Sequence, residues 1–176
     1  EKDIEVIVNF VDVSRFNRKP IDAFRKVIAP NGERILLHAS NFRKIKRVQD
    51  VVKIFAEVSK QIPSKLLFVG DGPERSTAED LSRELGVCDE IRFVGKQEQM
   101  EDILAIGDLF LLTSEYESFG LAALEAMAAG VPVISTNAGG LGEINIPGET
   151  GYMSNVGDVE NMSKQAISIL QDDDTL

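Results

Sequence analysis

Tryptophan is absent from this 176-residue chain, and cysteine and histidine occur once each, as Cys88 and His38. A lone cysteine excludes an internal disulfide framework and suits a reducing compartment, so the chain reads as cytoplasmic with an ordinary free thiol. A lone histidine leaves little from which to build a metal centre. His38 lies in an apolar run, which is the setting of a core histidine with satisfied ring nitrogens. No apolar stretch approaches the roughly 20 residues that a membrane helix requires, and no secretory pattern opens the chain. Positive charge is also scarce: 19 Lys and Arg stand against 29 Asp and Glu, a net charge of −10. That balance argues against nucleic acid and against an anionic membrane surface as partners. The one basic cluster, Arg43-Lys44 with Lys46-Arg47, has two readings: a local spot for a small anion, or a solvated charge run.

What is present is alternation. Apolar strands are expected at 4–8, 35–39, 66–69, 91–94, 108–112, 132–135 and, briefly, 151–153. Helical periods or caps fall between them at 21–28, 48–61, 74–85, 100–105, 119–129 and 159–170, with 15–20 as loop. Strand–helix alternation predicts an α/β fold, a Rossmann-like doubly wound parallel sheet covered by helices on both faces. Ligands of such sheets bind beyond the C-terminal ends of the strands. The polar segments Asn41–Lys46, Gly70–Gly72, Gly95–Gln97, Glu117–Gly120 and Gly139–Glu143 each follow a strand, so they converge on one edge. The chain reads as a single domain over residues 1–176 with a solvated acidic end at Asp172-Asp173-Asp174.

The richest stretch is Glu117-Ser118-Phe119-Gly120-Leu121-Ala122-Ala123-Leu124-Glu125, which sets two carboxylates with seven residues between them. Ser118 is placed as the N-cap of the following helix. Gly120, lacking a side chain, is expected to let a ligand approach the first-turn amides, whose orphan N–H groups and helix dipole suit an anion such as a diphosphate. Leu121, Leu124 and Ala128 are expected to face inward, and Gly130 with Pro132 ends the helix. From spacing alone, Glu117 and Glu125 read equally as ligand holders or as solvated charges on an exposed face.

This segment resembles the E-x7-E signature of retaining GT-B-fold glycosyltransferases of family 4. Asn137-Ala138-Gly139-Gly140-Leu141-Gly142-Glu143, Thr150-Gly151-Tyr152 and Val69-Gly70-Asp71-Gly72-Pro73 resemble further elements of that family, in its order, from about Leu36 to Met153. Asn9-Phe10-Val11-Asp12 is similar to its Asn-Gly-Val-Asp turn, with Phe10 replacing the glycine. The run Ser40-Asn41-Phe42-Arg43-Lys44-Ile45-Lys46-Arg47 departs from the usual pattern, placing Asn41 where most members carry Arg. It resembles the subgroup of N-acetylglucosaminyl–malate synthases of bacillithiol biosynthesis.

The resemblance implies UDP-N-acetylglucosamine as donor, L-malate as acceptor, retention at the anomeric carbon, and no cofactor or obligatory metal. It implies that Glu125 accepts hydrogen bonds from the ribose hydroxyls and that Glu117 lies near the donor sugar. Ser118, Phe119, Gly120 and Leu121 would offer backbone amides to sugar and distal phosphate. Lys46 matches the phosphate-binding lysine. The second positive charge, displaced from Asn41, falls to Arg43, with Arg47 as the alternative. Val94 and Lys96 would contact the base through backbone groups. Gly70 and Gly72 either keep the pocket floor open or form a plain turn.

The resemblance covers only the donor-binding half of a GT-B enzyme. The chain therefore reads as a fragment whose N-terminal acceptor domain is absent and which is inactive alone, from a full-length enzyme with room for a homodimer. A transferase with a polysaccharide or lipid acceptor, and a nucleotide-sugar sensor without transferase chemistry, are the competing readings. A dinucleotide domain is discounted, because Gly70-Asp71-Gly72 follows a later strand and lacks the third glycine.

Overall fold

The computed structural model describes residues 9–16 and 22–172. The strand expected at 4–8 lies outside them, as do Asp173 and Asp174. Six strands form one fully parallel sheet: β1 (Arg34–Ser40), β2 (Ser64–Gly70), β3 (Ile91–Gly95), β4 (Leu109–Leu112), β5 (Val133–Thr136) and β6 (Gly151–Ser154), in the order β3-β2-β1-β4-β5-β6. The helices are α1 (Asp22–Ile28), α2 (Val48–Ser59), α3 (Arg75–Glu84), α4 (Met100–Leu104), α5 (Leu121–Ala128) and α6 (Val159–Gln171). The order reverses between β1 and β4, and the crevice beyond such a switch point is where doubly wound sheets bind ligands.

Side chains on a strand point alternately to opposite faces, so a sheet covered on both sides needs strands that are apolar throughout. Leu109 and Leu111 of β4 join one core with Leu36, Val51, Phe55, Ala78 and Ala166, under α2, α3 and α6. Phe110 and Leu112 join the other with Ile35, Leu37, Ile103, Ala123 and Ala126, under α1, α4 and α5. The helix α2 buries Val48, Val51, Val52, Phe55 and Val58 at a helical period.

The departures from expectation have local causes. The helix expected from 119 begins at Leu121, because Gly120 is the residue preceding it and lies in the left-handed region at φ 91°. Ser118 makes no cap and is exposed. The buried residues of α5 are Ala123 and Ala126, followed by the buried Ala129 just past its end, whereas Leu121 is 48% exposed and Leu124 and Ala128 are half-buried. Small residues face the sheet because the helix packs close to it. Asp108, read as strand, precedes β4 and staples it: its carboxylate accepts from Arg25 Nη2 and from the Ile35 amide, each at 2.7 Å. Single 3-10 turns form at Val13–Phe16, Lys44–Lys46, Cys88–Glu90 and Gly139–Glu143, segments that carry no apolar period.

Candidate functional site

The loops leaving β1 and β4 are tied together across the switch point. The Glu115 amide donates to the Ile45 carbonyl at 2.8 Å, and Thr113 Oγ1 donates to the carbonyls of Lys46 and Arg47 at 3.0 and 3.1 Å. The β1 loop itself is tightly wound. Phe42 and Arg47 both hold positive φ, 36° and 48°, a conformation costly for residues with a Cβ and kept only where the surroundings enforce it. For Phe42 an aromatic cluster does so: its fully buried ring packs edge-on against the buried Phe68 and the half-buried Phe93 and lies beside His38.

The result is that Lys46 Nζ meets Glu117 Oε1 in an ion pair, with side-chain exposures of 18% and 13%. Ser114 Oγ donates to the same carboxylate oxygen at 2.8 Å. Sequence reasoning missed Ser114; three residues before Glu117 in a polar loop, it carried no distinguishing signal. Behind the pair lies His38, fully buried, with Nδ1 2.9 Å from the Leu111 carbonyl and Nε2 2.8 Å from Ser40 Oγ. A carbonyl only accepts, so Nδ1 carries the proton and Nε2 accepts from Ser40. Burial, above all, lowers the imidazole pKa to about 4, and the nearby Lys46 ammonium acts in the same direction. His38 is the satisfied core histidine expected.

The backbone of the Glu117 loop is seated on the turn after β5. The Gly140 amide donates to the Glu117 carbonyl at 2.9 Å, and a Cβ on Gly139 would lie 1.9 Å from that oxygen. A Cβ on Gly120 would lie 2.4 Å from Leu141 Cδ2, so Gly120 is buried against Leu141. Its missing side chain makes room for the protein's own packing. Likewise Cβ atoms on Gly70 and Gly72 would lie 1.8 and 2.1 Å from the carbonyls of Ser40 and Asn41. These glycines let the turn after β2 support the β1 loop; the floor they form is backbone laid on backbone.

The remaining predicted residues divide. Arg47 is engaged: Nε meets the buried carboxylate of Asp50 at 2.7 Å and Nη1 meets Glu115 at 2.9 Å. Hydrogen bonds to these two carboxylates raise its pKa. Arg43, at the start of the Lys44–Lys46 turn, is exposed and forms no ion pair with the described residues. Asn41, Ser118 and Lys96 are exposed, and Phe119 and Val94 are half-buried. Glu125 stands apart from the Lys46–Glu117 pair. It is half-buried, and desolvation, above all, raises its pKa; the charges it senses are Arg15, which opposes the rise, and Glu101, which adds to it. Arg15 in turn reaches Glu101 at 3.4 Å. The two signature carboxylates therefore belong to different corners of one edge, with the α5 N-terminus between them. Its first amides have no intrahelical acceptor.

Comparison with known proteins agrees with this geometry. Residues 21–176 match the family model described as glycosyl transferases group 1. The chain is 46% identical over 174 residues to N-acetyl-alpha-D-glucosaminyl L-malate synthase of Bacillus anthracis, covering 98% of the chain and 46% of that protein. It is 34% identical over 174 residues to glycogen synthase of Mycobacterium tuberculosis, covering 97% of the chain and 40% of the relative. Among solved structures, HepE from Anabaena in complex with UDP and glucose superposes with a TM-score of 0.88 at 24% identity, over 97% of this chain and 48% of that one. Sucrose-phosphate synthase from Thermosynechococcus elongatus superposes at 0.83 with 29% identity, over 94% and 43%. The chain thus spans about half the length of the curated relatives it matches. Its parallel sheet, the motifs on one sheet edge and these similarities agree: the chain belongs to the group 1 glycosyl transferases.

Proposed function

We propose that this chain is the donor-binding half of a retaining glycosyltransferase that holds UDP-N-acetylglucosamine for sugar transfer to L-malate. The observation that carries the reading is the Lys46–Glu117 pair at the switch point of the sheet, together with the similarity to a glucosaminyl–malate synthase. The diphosphate lies between the free amides ahead of Leu121 and the cations of the β1 loop. Lys46 turns from Glu117 toward the phosphates, and Arg43, which has no competing carboxylate among the described residues, supplies the second charge. Both stabilise negative charge that grows on the departing UDP, a fixed electrostatic contribution made where the charge develops. Glu117, released from Lys46, accepts from hydroxyls of the donor sugar while Ser114 keeps its carboxylate aimed. Glu125 accepts from the two ribose hydroxyls, which a carboxylate with two oxygens does well.

The acceptor is held by a second domain, and closure of the two halves assembles the site. The glycogen synthase relative favours a second reading, a polysaccharide acceptor, with the same donor chemistry on this half. Titration with UDP-N-acetylglucosamine and UDP-glucose, followed by transfer assays with malate on the full-length parent, separates the two. Preference for the N-acetylated donor and turnover with malate are expected. Turnover with glucan and not malate would overturn the malate assignment. The 176-residue chain alone is expected to transfer no sugar.

A further inference from the structure

Val94 stands where β3 breaks register. The ladder to β2 runs Phe68 to Phe93 and then Val69 to Gly95, so Val94 is an extra residue in an edge strand. A bulged residue drops out of the ladder, and bulges of this kind concentrate beside functional sites. The Val94 carbonyl is taken instead by a side chain: Gln97 Nε2 donates to it at 2.6 Å. This is the one hydrogen bond that the exposed Gln97 side chain makes among the described residues. Both residues line a cavity of about 440 Å³ shared with Phe24, Leu67, Ile103, Gln99 and Asp102, a size usual for small-molecule sites. The cavity therefore joins three apolar side chains and the polar Gln99 and Asp102 to a backbone acceptor at the bulge.

We propose that Gln97 is a built-in competitor for the nucleobase: in the free domain its carboxamide occupies the Val94 carbonyl, and a base N–H must displace it to bind there. The inference rests on the uridine-donor reading above. A carboxamide sets an N–H donor beside a C=O acceptor, the same pair that the imide edge of uracil presents. Uracil can therefore replace Gln97 bond for bond. Cytosine in the same pose puts a ring lone pair where uracil has its N–H, and the Val94 carbonyl would then face another acceptor, losing the bond outright.

Titration of the wild-type chain and Gln97→Ala with UDP and CDP tests this, with thermal melts to verify that both are folded. Removing one competing hydrogen bond should tighten UDP binding by about two- to fivefold, with UDP preferred over CDP in both proteins. In the wild type, the Gln97 side-chain amide resonances, identified by their loss in the variant, should move to free-amide positions as UDP is added. UDP affinity that is unchanged or weaker in Gln97→Ala, while the wild type binds, would overturn the competitor role alone. Absence of UDP binding by either protein would overturn the donor reading and this inference together.

Discussion

At the residue scale, the pair Lys46–Glu117 and the histidine behind it are buried polar groups on which stability depends. Lys46→Met leaves the Glu117 carboxylate largely buried, with Ser114 as its one remaining partner among the described residues. Stability should fall by about 1–3 kcal/mol, read from the urea midpoint. Adding Glu117→Gln should recover part of that loss, and strict additivity of the two changes would show that the ion pair does not couple them. His38 gives a pH signature. Its folded pKa, about 4, is below its ordinary 6.5, so between these values the unfolded chain binds more protons than the folded one. Its contribution is complete above pH 6.5 and is lost progressively as pH falls toward 4, amounting to about 3 kcal/mol. Chemical denaturation from pH 7 to 4 should show this slope, and it should flatten in His38→Gln. Much of this was legible beforehand: the family pattern singled out Lys46, Glu117 and Glu125. The Ser114 contact and the engagement of Arg47 by Asp50 and Glu115 were not, because both depend on which groups the fold brings together.

At the scale of elements, the site is a set of loops held to one another by backbone contact. The sequence displayed the strands and most helices through their periods. It mislaid the start of α5 because Ser118 offered a plausible cap, whereas the left-handed backbone at Gly120 sets the boundary two residues later. Gly120 reads as room for a ligand, and Gly70 with Gly72 as an open floor or a plain turn. The missing Cβ atoms of these three and of Gly139 also admit Leu141 and the carbonyls of Ser40, Asn41 and Glu117, which no local sequence pattern reveals. Gly120→Ala should therefore cost at least about 1–3 kcal/mol from its positive φ alone, with further loss from the clash with Leu141. Gly139→Ala should push the Glu117 loop away from its seat and weaken UDP binding more than it lowers the melting temperature. Equal binding by Gly139→Ala and wild type would show that the seat after β5 does not position Glu117.

At the scale of the whole molecule, the strand order alone put the Lys46 and Glu117 loops on either side of one switch point, and doubly wound topology was readable from the alternation of elements. In the proposed function, this domain supplies phosphate, ribose and base contacts on one edge of its sheet. The relatives it matches are about twice its length, and the proposal assigns the acceptor side to that remainder. The most direct test of the account is calorimetric titration of this chain with UDP, for the wild type, Glu125→Ala and Lys46→Met. Micromolar to millimolar binding in the wild type, abolished by loss of the ribose carboxylate and sharply weakened by loss of the phosphate cation, is the predicted result. UDP binding of equal strength in all three proteins would contradict it, since the ligand would then sit elsewhere than on the edge where β1 and β4 end.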